Sequence, residues 1–332
     1  MSTLSASFPT LLDLQQRMDP KGMIAPVVEI LSQQNDMIVD AVMVEANDTT
    51  GHTTTIRSGL PAPTWKRLNY GVQPVKSRTV QIKDAMGHLF QVAEIDKDLA
   101  ELNGLKAEWM LSEHMPFLEA MNQEFASTLI YGNESTAPAE FTGLAARYND
   151  QSAENGGNIL TSAGTPDSTD NTSIWLIGWG PNTIHTIYPK GSQAGLAVTD
   201  FGLQALENQG GTGLRGQGYR RDYSWKCGLS VRDWRYAVRI NYDLEDVIAT
   251  AATGPDLIQL MAQAIRRIPS LGNCRPVFYG NRDSLDALDK QMNFSGRMHY
   301  QTVKDAAGQE VQAFRGIPVR RCDAILSTES GI

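Results

Sequence analysis

The chain has 332 residues, of which 41% are hydrophobic and 20% are charged, an ordinary composition for a globular protein. That length is enough to bury one large hydrophobic core or two moderate ones, and no run of about 18 apolar residues is present to cross a membrane. The net charge is −8 and no long basic run occurs, which argues against tight binding of nucleic acid.

Residues 1–40 are predicted to form an arm. A short amphipathic helix is indicated by the spacing of Leu11, Leu12, Leu14 and Met18. Asp19-Pro20-Lys21-Gly22 ends this helix, and a second one is expected after Pro26. Met1–Thr10 lacks the basic start and apolar core of a signal peptide, so we expect the protein to stay in the cytoplasm where it is made.

Residues 41–95 are predicted to hold two long strands joined by an irregular tip. Ala41–Glu45, Thr53–Arg57 and Ser77–Ile82 are rich in β-forming residues, whereas the stretch from Arg57 to Val72 is polar and contains several glycines and prolines. Because a long hairpin is marginally stable alone in water, we expect it to need a partner, and a neighbouring subunit is a candidate.

The longest helical pattern covers residues 97–131. Apolar residues recur there at helical spacing, with Gly104 interrupting the start and Pro116 expected to kink the helix. Tyr131-Gly132-Asn133 is a plausible stop. Residues 133–172 then read as a long loop with a short ordered piece at Phe141–Tyr148.

The rest of the chain alternates blocks of strands and helices. Strands are predicted at Ile174–Ile177, Thr183–Tyr188, Ala197–Val198, Tyr223–Leu229, Trp234–Asn241 and Pro276–Tyr279. A helix over 254–268 should have Pro255 at its first position, and Asn281 should cap another helix. Phe314–Leu326 is interpreted as an apolar strand entered through a Gly-Ile-Pro bend. Because strands and helices come in blocks, the fold class is α+β.

One motif hints at nucleotide chemistry. Gly211-Thr212-Gly213-Leu214-Arg215-Gly216 satisfies the Gly-x-Gly-x-x-Gly pattern of dinucleotide sites. That chemistry needs a helix to start inside the motif, so that amide groups face the pyrophosphate. The sequence that follows is β-like, so a loop between strands is the better interpretation.

Other polar groups have simple structural interpretations. A basic cluster is expected to pair with Asp222, Asp233 and Asp243, and it consists of Arg215, Arg220, Arg221, Arg232, Arg235 and Arg239. The glutamates of the long helix, Glu108, Glu113, Glu119 and Glu124, fit a solvated face. The five scattered histidines show no metal spacing, and Cys227, Cys274 and Cys322 are interpreted as free thiols. Trp175 and Trp179 are expected to pack in a core or an interface. No catalytic residue, cofactor or metal site is predicted.

Four stretches together resemble the major capsid proteins of tailed phages with the Hong Kong 97-type fold, and the short-tailed phage subgroup in particular. They are the hairpin with Gly59–Arg67 at its tip, the long helix that ends in Leu129–Asn133 with Pro138 and Gly143-Leu144 after it, Ile174–Gly191, and the final helices and strands with Gly316-Ile317-Pro318-Val319. The resemblance runs over most of the chain from about residue 40.

The resemblance implies a domain plan. Residues 1–40 would be the N-terminal arm, 41–95 the extended E-loop hairpin with flanking strands, 96–250 the P-domain with the spine helix, and 251–332 an A-domain-like region. A strand block like 174–189 tends to follow the Gly-x-Pro-Val segment in the commoner members but precedes it here. We therefore expect a permuted strand order.

The resemblance also implies a function. The chain would self-assemble into pentamers and hexamers of an icosahedral head, enclose double-stranded DNA without reading its sequence, and act with portal and scaffold or decoration proteins. It would be made in the bacterial cytoplasm and end in the virion, with no membrane partner. The E-loop tip would contact a neighbouring subunit through Arg57, Pro61, Trp65, Lys66 and Arg67. The alternatives are a decoration or tail component and, with less support, a cytosolic nucleotide-binding enzyme.

Overall fold

The computed structural model describes residues 32–101, 106–162, 170–207, 213, 215–249, 254–295, 300–304 and 310–332. Its contacts divide the chain into two units, each assembled from separate stretches. The first unit comprises 88–126 and 195–226 with the described residues up to Gln34, and the second comprises 35–87, 127–194 and 227–332. The four-segment domain plan is not tested by this division and stays a prediction.

Helices and strands occur in blocks, as expected for an α+β fold. The described helices are α1 (Asp36–Asp40), α2 (Lys97–Glu101), α3 (Lys106–Tyr131), α4 (Leu144–Arg147), α5 (Leu244–Ala249), α6 (Leu257–Arg267) and α7 (Arg282–Ser295). The described strands are β1 (Met43–Glu45), β2 (Gly51–Gly59), β3 (Arg78–Asp96), β4 (Ile159–Thr161), β5 (Asn171–Trp179), β6 (Ile184–Tyr188), β7 (Leu196–Glu207), β8 (Arg215–Val231), β9 (Ala237–Asp243), β10 (Arg275–Gly280), β11 (Tyr300–Lys304), β12 (Glu310–Phe314) and β13 (Ile317–Arg321). Within these ranges, none of the helices has the length and apolar character that crossing a membrane requires.

The first unit is built on a two-stranded ribbon and the long helix. β7 and β8 pair antiparallel from Leu196↔Trp225 to Glu207↔Arg215. The helix α3 lays its apolar side on the ribbon, where Phe125 stacks on Trp225 with ring centroids 4.3 Å apart and Phe117 stacks on Tyr223. Aromatic pairs of this kind bury large areas, and this burial stabilises the packing of α3 against β8.

The second unit is a sheet centred on β5. In hydrogen-bonding order the strands run β11-β12-β13-β10-β5, and β9 and β6 also pair with β5. Every residue of β5 is buried, which is typical of a strand covered on both faces. Trp175 and Trp179 are among its largest fully buried side chains, so the prediction that they pack in a core is confirmed.

A buried carboxylate ties the chain's last residues into the second unit. The side chain of Glu329 is 3% exposed and pairs with Arg239 at 2.8 Å. It also accepts hydrogen bonds from the hydroxyl groups of Tyr131 and Ser173. The backbone of Glu329 exchanges two hydrogen bonds with Asn171 at the start of β5. The C-terminal segment is therefore part of the core and not an appendage.

The interpretation of Phe314–Leu326 as one strand is wrong. Phe314 is the last residue of β12, and β13 starts at Ile317 and pairs back onto it. Arg315 and Gly316 between them have φ values of 52° and 83°, so they form the tight turn of a hairpin. The sequence predicts a bend at Gly316, and the structure has one there, but the strand after it ends at Arg321 and not at Leu326.

The other helix predictions have mixed outcomes. α3 ends at Tyr131 as expected, and Asn281 caps α7 by accepting from the Ser284 amide at 2.8 Å. Pro255, however, is not the first residue of α6, because Asp256 is the cap and accepts from the Gln259 amide. The arm helices and Gly104 lie outside the described residues. The permuted strand order stays a prediction.

Candidate functional site

The hairpin of β2 and β3 presents its connecting residues to solvent. The two strands pair antiparallel from Gly51↔Ala85 to Gly59↔Arg78, as the sequence predicts. Between them, residues 60–77 form neither helix nor strand, and every one of these 18 residues is exposed. We call residues 60–77 the tip. The side chains of the tip are therefore not part of the subunit's hydrophobic core.

The tip displays large apolar side chains to solvent. Trp65 is 99% exposed and Leu68 is 93% exposed, and Tyr70 beside them is also exposed. Asn69 has a φ of 64° within a turn closed by the Tyr70 amide and the Arg67 carbonyl. Aromatic and aliphatic groups clustered on a surface mark an interaction site. Leu68 and Tyr70 are not among the contact residues predicted from the sequence, although apolar residues inside a stretch rich in glycine and proline are a usable signal.

The residues predicted to make the subunit contact all lie on this surface. Arg57 is exposed near the end of β2, and the tip carries the other four. Those four are Pro61, Trp65, Lys66 and Arg67. The fold thus brings them together on one hairpin, while their role in a contact stays a prediction.

The hairpin is also strongly cationic. Residues 57–83 contain six basic side chains and not one acidic side chain. They are Arg57, Lys66, Arg67, Lys76, Arg78 and Lys83. Only Lys83 has an ion pair within the described structure, at 3.7 Å from the exposed Asp48. The other five charges are available to a partner.

Buried polar groups hold the hairpin's root. Asp84 lies opposite His52 in the register of β2 and β3, and its carboxylate pairs with Arg147 at 2.9 Å and accepts from the Ser230 hydroxyl at 2.8 Å. The His52 ring meets the fully buried His185 ring edge-on, with centroids 5.9 Å apart. The root is therefore held by groups from five different elements, whereas every residue of the tip is exposed.

The buried histidine should make the fold sensitive to acid. Burial, followed by the charges of Arg232 and His52, lowers the pKa of His185 to about 4 from 6.5. Between these pH values the unfolded chain binds a proton that the folded chain refuses, so stability is lost as pH falls from 6.5 to 4, by about 3 kcal/mol in total. Urea unfolding across this range should show a shallower pH dependence for His185→Gln than for the wild type. The exposed His88→Gln serves as the control, and an unchanged slope for His185→Gln would contradict the assignment.

The glycine motif at 211–216 has the wrong context for a dinucleotide. β8 begins at Arg215, inside the motif, and pairs back onto β7. A strand at that position offers no helix N-terminus to a pyrophosphate. Gly211, Thr212 and Leu214 lie outside the described residues, so the preferred interpretation, a loop between strands, stays a prediction.

The basic cluster pairs with acidic groups, though not always with those predicted. Arg220 pairs with Asp222 and Arg235 with Asp233, both at 2.8 Å. Asp243 accepts a hydrogen bond from the Glu245 amide at the start of α5. The remaining pairs are Arg221–Asp200, Arg215–Glu207 and Arg239–Glu329. Arg232 donates to the Pro181 carbonyl.

No cluster of three or more metal-ligating side chains occurs among the described residues. All three cysteines are free thiols, as interpreted from the sequence. Burial raises the pKa of Cys227 to about 12 and that of Cys322 to about 12, which keeps both thiols protonated and unreactive.

Comparison with known proteins agrees with this picture. A family model described as major capsid protein GP7 matches residues 19–332. A chain in the structure of bacteriophage epsilon15 is 35% identical, with 100% of this chain and 99% of that chain covered and a TM-score of 0.79. The fold is that of the Hong Kong 97-type capsid proteins of tailed phages. The chain belongs to the GP7 family of major capsid proteins, and its role is to form a capsid.

Two more distant structures are also described as capsids. The capsid of bacteriophage JBD30 is 9% identical, with 89% and 93% of the two chains covered and a TM-score of 0.49. The capsid of a native GTA particle is 8% identical, with 68% and 95% covered and a TM-score of 0.47. A search of curated proteins found no match.

Proposed function

We propose that the chain assembles with copies of itself into pentamers and hexamers of an icosahedral head that encloses packaged double-stranded DNA. We further propose that the tip, with Arg57, is a contact with a neighbouring subunit. The observation that carries this proposal is the tip itself, because its 18 residues are all exposed although they include Trp65 and Leu68. Interfaces of permanent assemblies bury about 2,000 Å² or more, and an exposed aromatic anchor is the kind of residue that supplies their binding energy.

Charge supports a second copy as the partner of the tip. The hairpin stretch 57–83 contributes six positive charges to a chain whose net charge is −8, so the remainder of the chain carries −14. A cationic tip that reaches another copy therefore meets a predominantly acidic surface. Such complementarity speeds association and favours the correct register.

The same charge asymmetry predicts salt-sensitive assembly. Lys66→Gln combined with Arg67→Gln should slow assembly about tenfold at low salt and weaken its dependence on ionic strength, because steering of this kind is screened over about 10 Å at 0.1 M salt. Light scattering during assembly measures the rate. The matched control is Arg266→Gln with Arg267→Gln, an adjacent pair that is exposed at the end of α6. Equal slowing in the control would contradict a specific role for the tip.

The finer features of the proposal rest on the capsid family to which the chain belongs. The role is structural and not enzymatic. An acidic wall encloses DNA without adhering to it, since tight binding needs a cationic surface. Portal and scaffold or decoration proteins would complete the head. The subunit would be made in the host cytoplasm and end in the virion.

The proposal is tested by the state of the purified protein. Sedimentation should find capsomers or shells, alone or after addition of phage partners, and electron micrographs should show closed heads. A stable monomer that never enters a shell under these conditions would contradict the proposal. Tail-like structures in the micrographs would contradict it as well.

A further inference from the structure

A closed cluster of polar side chains lies at the root of the hairpin. Its four members come from four strands that are neighbours in the sheet. They are His52 of β2, Asp84 of β3, Ser230 of β8 and His185 of β6. His52 lies opposite Asp84 and His185 lies opposite Ser230 in the strand registers. The Ser230 hydroxyl donates to Asp84 and the two histidine rings meet edge-on, so the four side chains form a circuit. We call them the root cluster.

The root cluster is buried, and its charges are already balanced. None of its four residues is more than 7% exposed. Its one carboxylate, that of Asp84, is neutralised by the Arg147 guanidinium of α4 at 2.9 Å. A second guanidinium, that of Arg232 just after β8, acts on both histidines. Among the described residues, Asp84 is the only carboxylate that acts on them, so a proton added to either ring is left without a free counter-charge.

Protonation of His52 also removes a hydrogen bond. Its Nδ1 accepts from the Asn47 amide at 3.2 Å, and its Nε2 has no hydrogen-bond partner in the part of the chain that the structure describes. A charged imidazole carries a proton on both nitrogens and accepts nothing. The loop that leads into β2, in which Asn47 and Thr53 exchange two hydrogen bonds, then loses its contact with the histidine.

We propose that the root cluster is an acid-sensitive switch, which holds β2 in place while both histidines are neutral and releases it when they are protonated. The two charged rings would face each other with centroids 5.9 Å apart, beside Arg232. Opening relieves this repulsion because water then solvates the charges. The switch belongs to the single subunit, so it does not depend on the proposed contact of the tip.

The direction of the pKa shifts sets the pH range of the switch. Burial, followed by the charge of Arg232, lowers the pKa of His52 and lowers that of His185 to about 4. In the open form the histidines return to their usual pKa of about 6.5. The open form therefore binds more protons than the closed form below that pH. The equilibrium shifts towards opening as the pH falls from about 6.5 to about 4.

Hydrogen exchange of the purified full-length subunit tests the switch. Mass spectrometry gives protection factors, corrected for the intrinsic pH dependence of exchange, at about pH 7 and about pH 4.5. Peptides from β2 should lose protection at least about tenfold at the lower pH. Peptides from β5, whose residues are all buried, should keep theirs. This comparison needs no variant. Unchanged protection in β2, or an equal loss in β5, would overturn the proposal.

Variants separate the switch from a general effect of acid. His52→Phe with His185→Phe keeps two aromatic rings, which also favour edge-on contact, but takes up no proton. The loss of β2 protection between the two pH values should then be less than about twofold. His52→Gln alone, a milder change, should give an intermediate loss. His88→Phe, at an exposed histidine, is the matched control and should lose protection as the wild type does. A double variant that opens in acid as readily as the control would contradict the assignment.

Discussion

Replacing Glu329 by alanine is expected to destabilise the folded protein by about 3–5 kcal/mol, the cost typical of breaking a buried ion pair by removing one partner. The guanidinium of Arg239 would stay buried without its carboxylate, since its side chain is only 6% exposed. Tyr131 and Ser173 would lose the acceptor of their hydroxyl groups at the same time. Each of these losses leaves a desolvated donor unsatisfied, which is why the effect exceeds that of an ordinary surface substitution.

Chemical denaturation of the purified subunit measures this effect, with Glu207→Ala as the matched control. Glu207 also pairs with an arginine, Arg215, at 3.6 Å, but both side chains lie in solvent. An exposed pair contributes about 0–1 kcal/mol, so the control should unfold almost as the wild type does. Glu329→Gln, which keeps the shape and part of the hydrogen bonding, should fall between the two. Similar losses in Glu329→Ala and Glu207→Ala would show that the buried network adds no stability.

Local patterns explain what the sequence predicts well. The helix α3 is marked by apolar residues at helical spacing and ends at Tyr131, before Gly132, where such a stop is expected. The hairpin is marked by two β-rich stretches around a segment rich in glycine and proline. Both patterns are set by residues that are neighbours along the chain. The local preference is realised because it agrees with the packing of the whole fold.

Distant contacts explain what the sequence conceals. Glu329 meets Arg239 across 90 positions of the chain and Ser173 across 156. No spacing rule links residues so far apart, and a glutamate near a C-terminus would ordinarily be assigned to the surface. The sequence predicts a bend at Gly316 but not the hairpin turn that begins at Arg315, because arginine seldom adopts a positive φ.

Removing the tip is expected to abolish assembly while leaving the subunit folded. Gly59 and Arg78 lie opposite each other in the register of β2 and β3. An Asn-Gly pair in place of residues 60–77 therefore closes the hairpin with a two-residue turn that suits antiparallel strands. All 18 removed residues are exposed, so the free energy of unfolding should change by less than about 1 kcal/mol. Shells should be absent from electron micrographs and from the fast-sedimenting fraction.

The single substitution Trp65→Ser tests how much of the assembly defect comes from this one aromatic side chain and how much from the rest of the tip. Truncation of a central aromatic anchor costs an interface about 2–4 kcal/mol, so this variant should assemble only at a much higher protein concentration. Val39→Ser, at another highly exposed apolar residue of the second unit, should assemble as the wild type does. Normal shells from the shortened hairpin would contradict the tip as a contact. Because the root groups His52 and Asp84 remain in place, an assembly defect in a stable subunit would report on the tip and not on the fold.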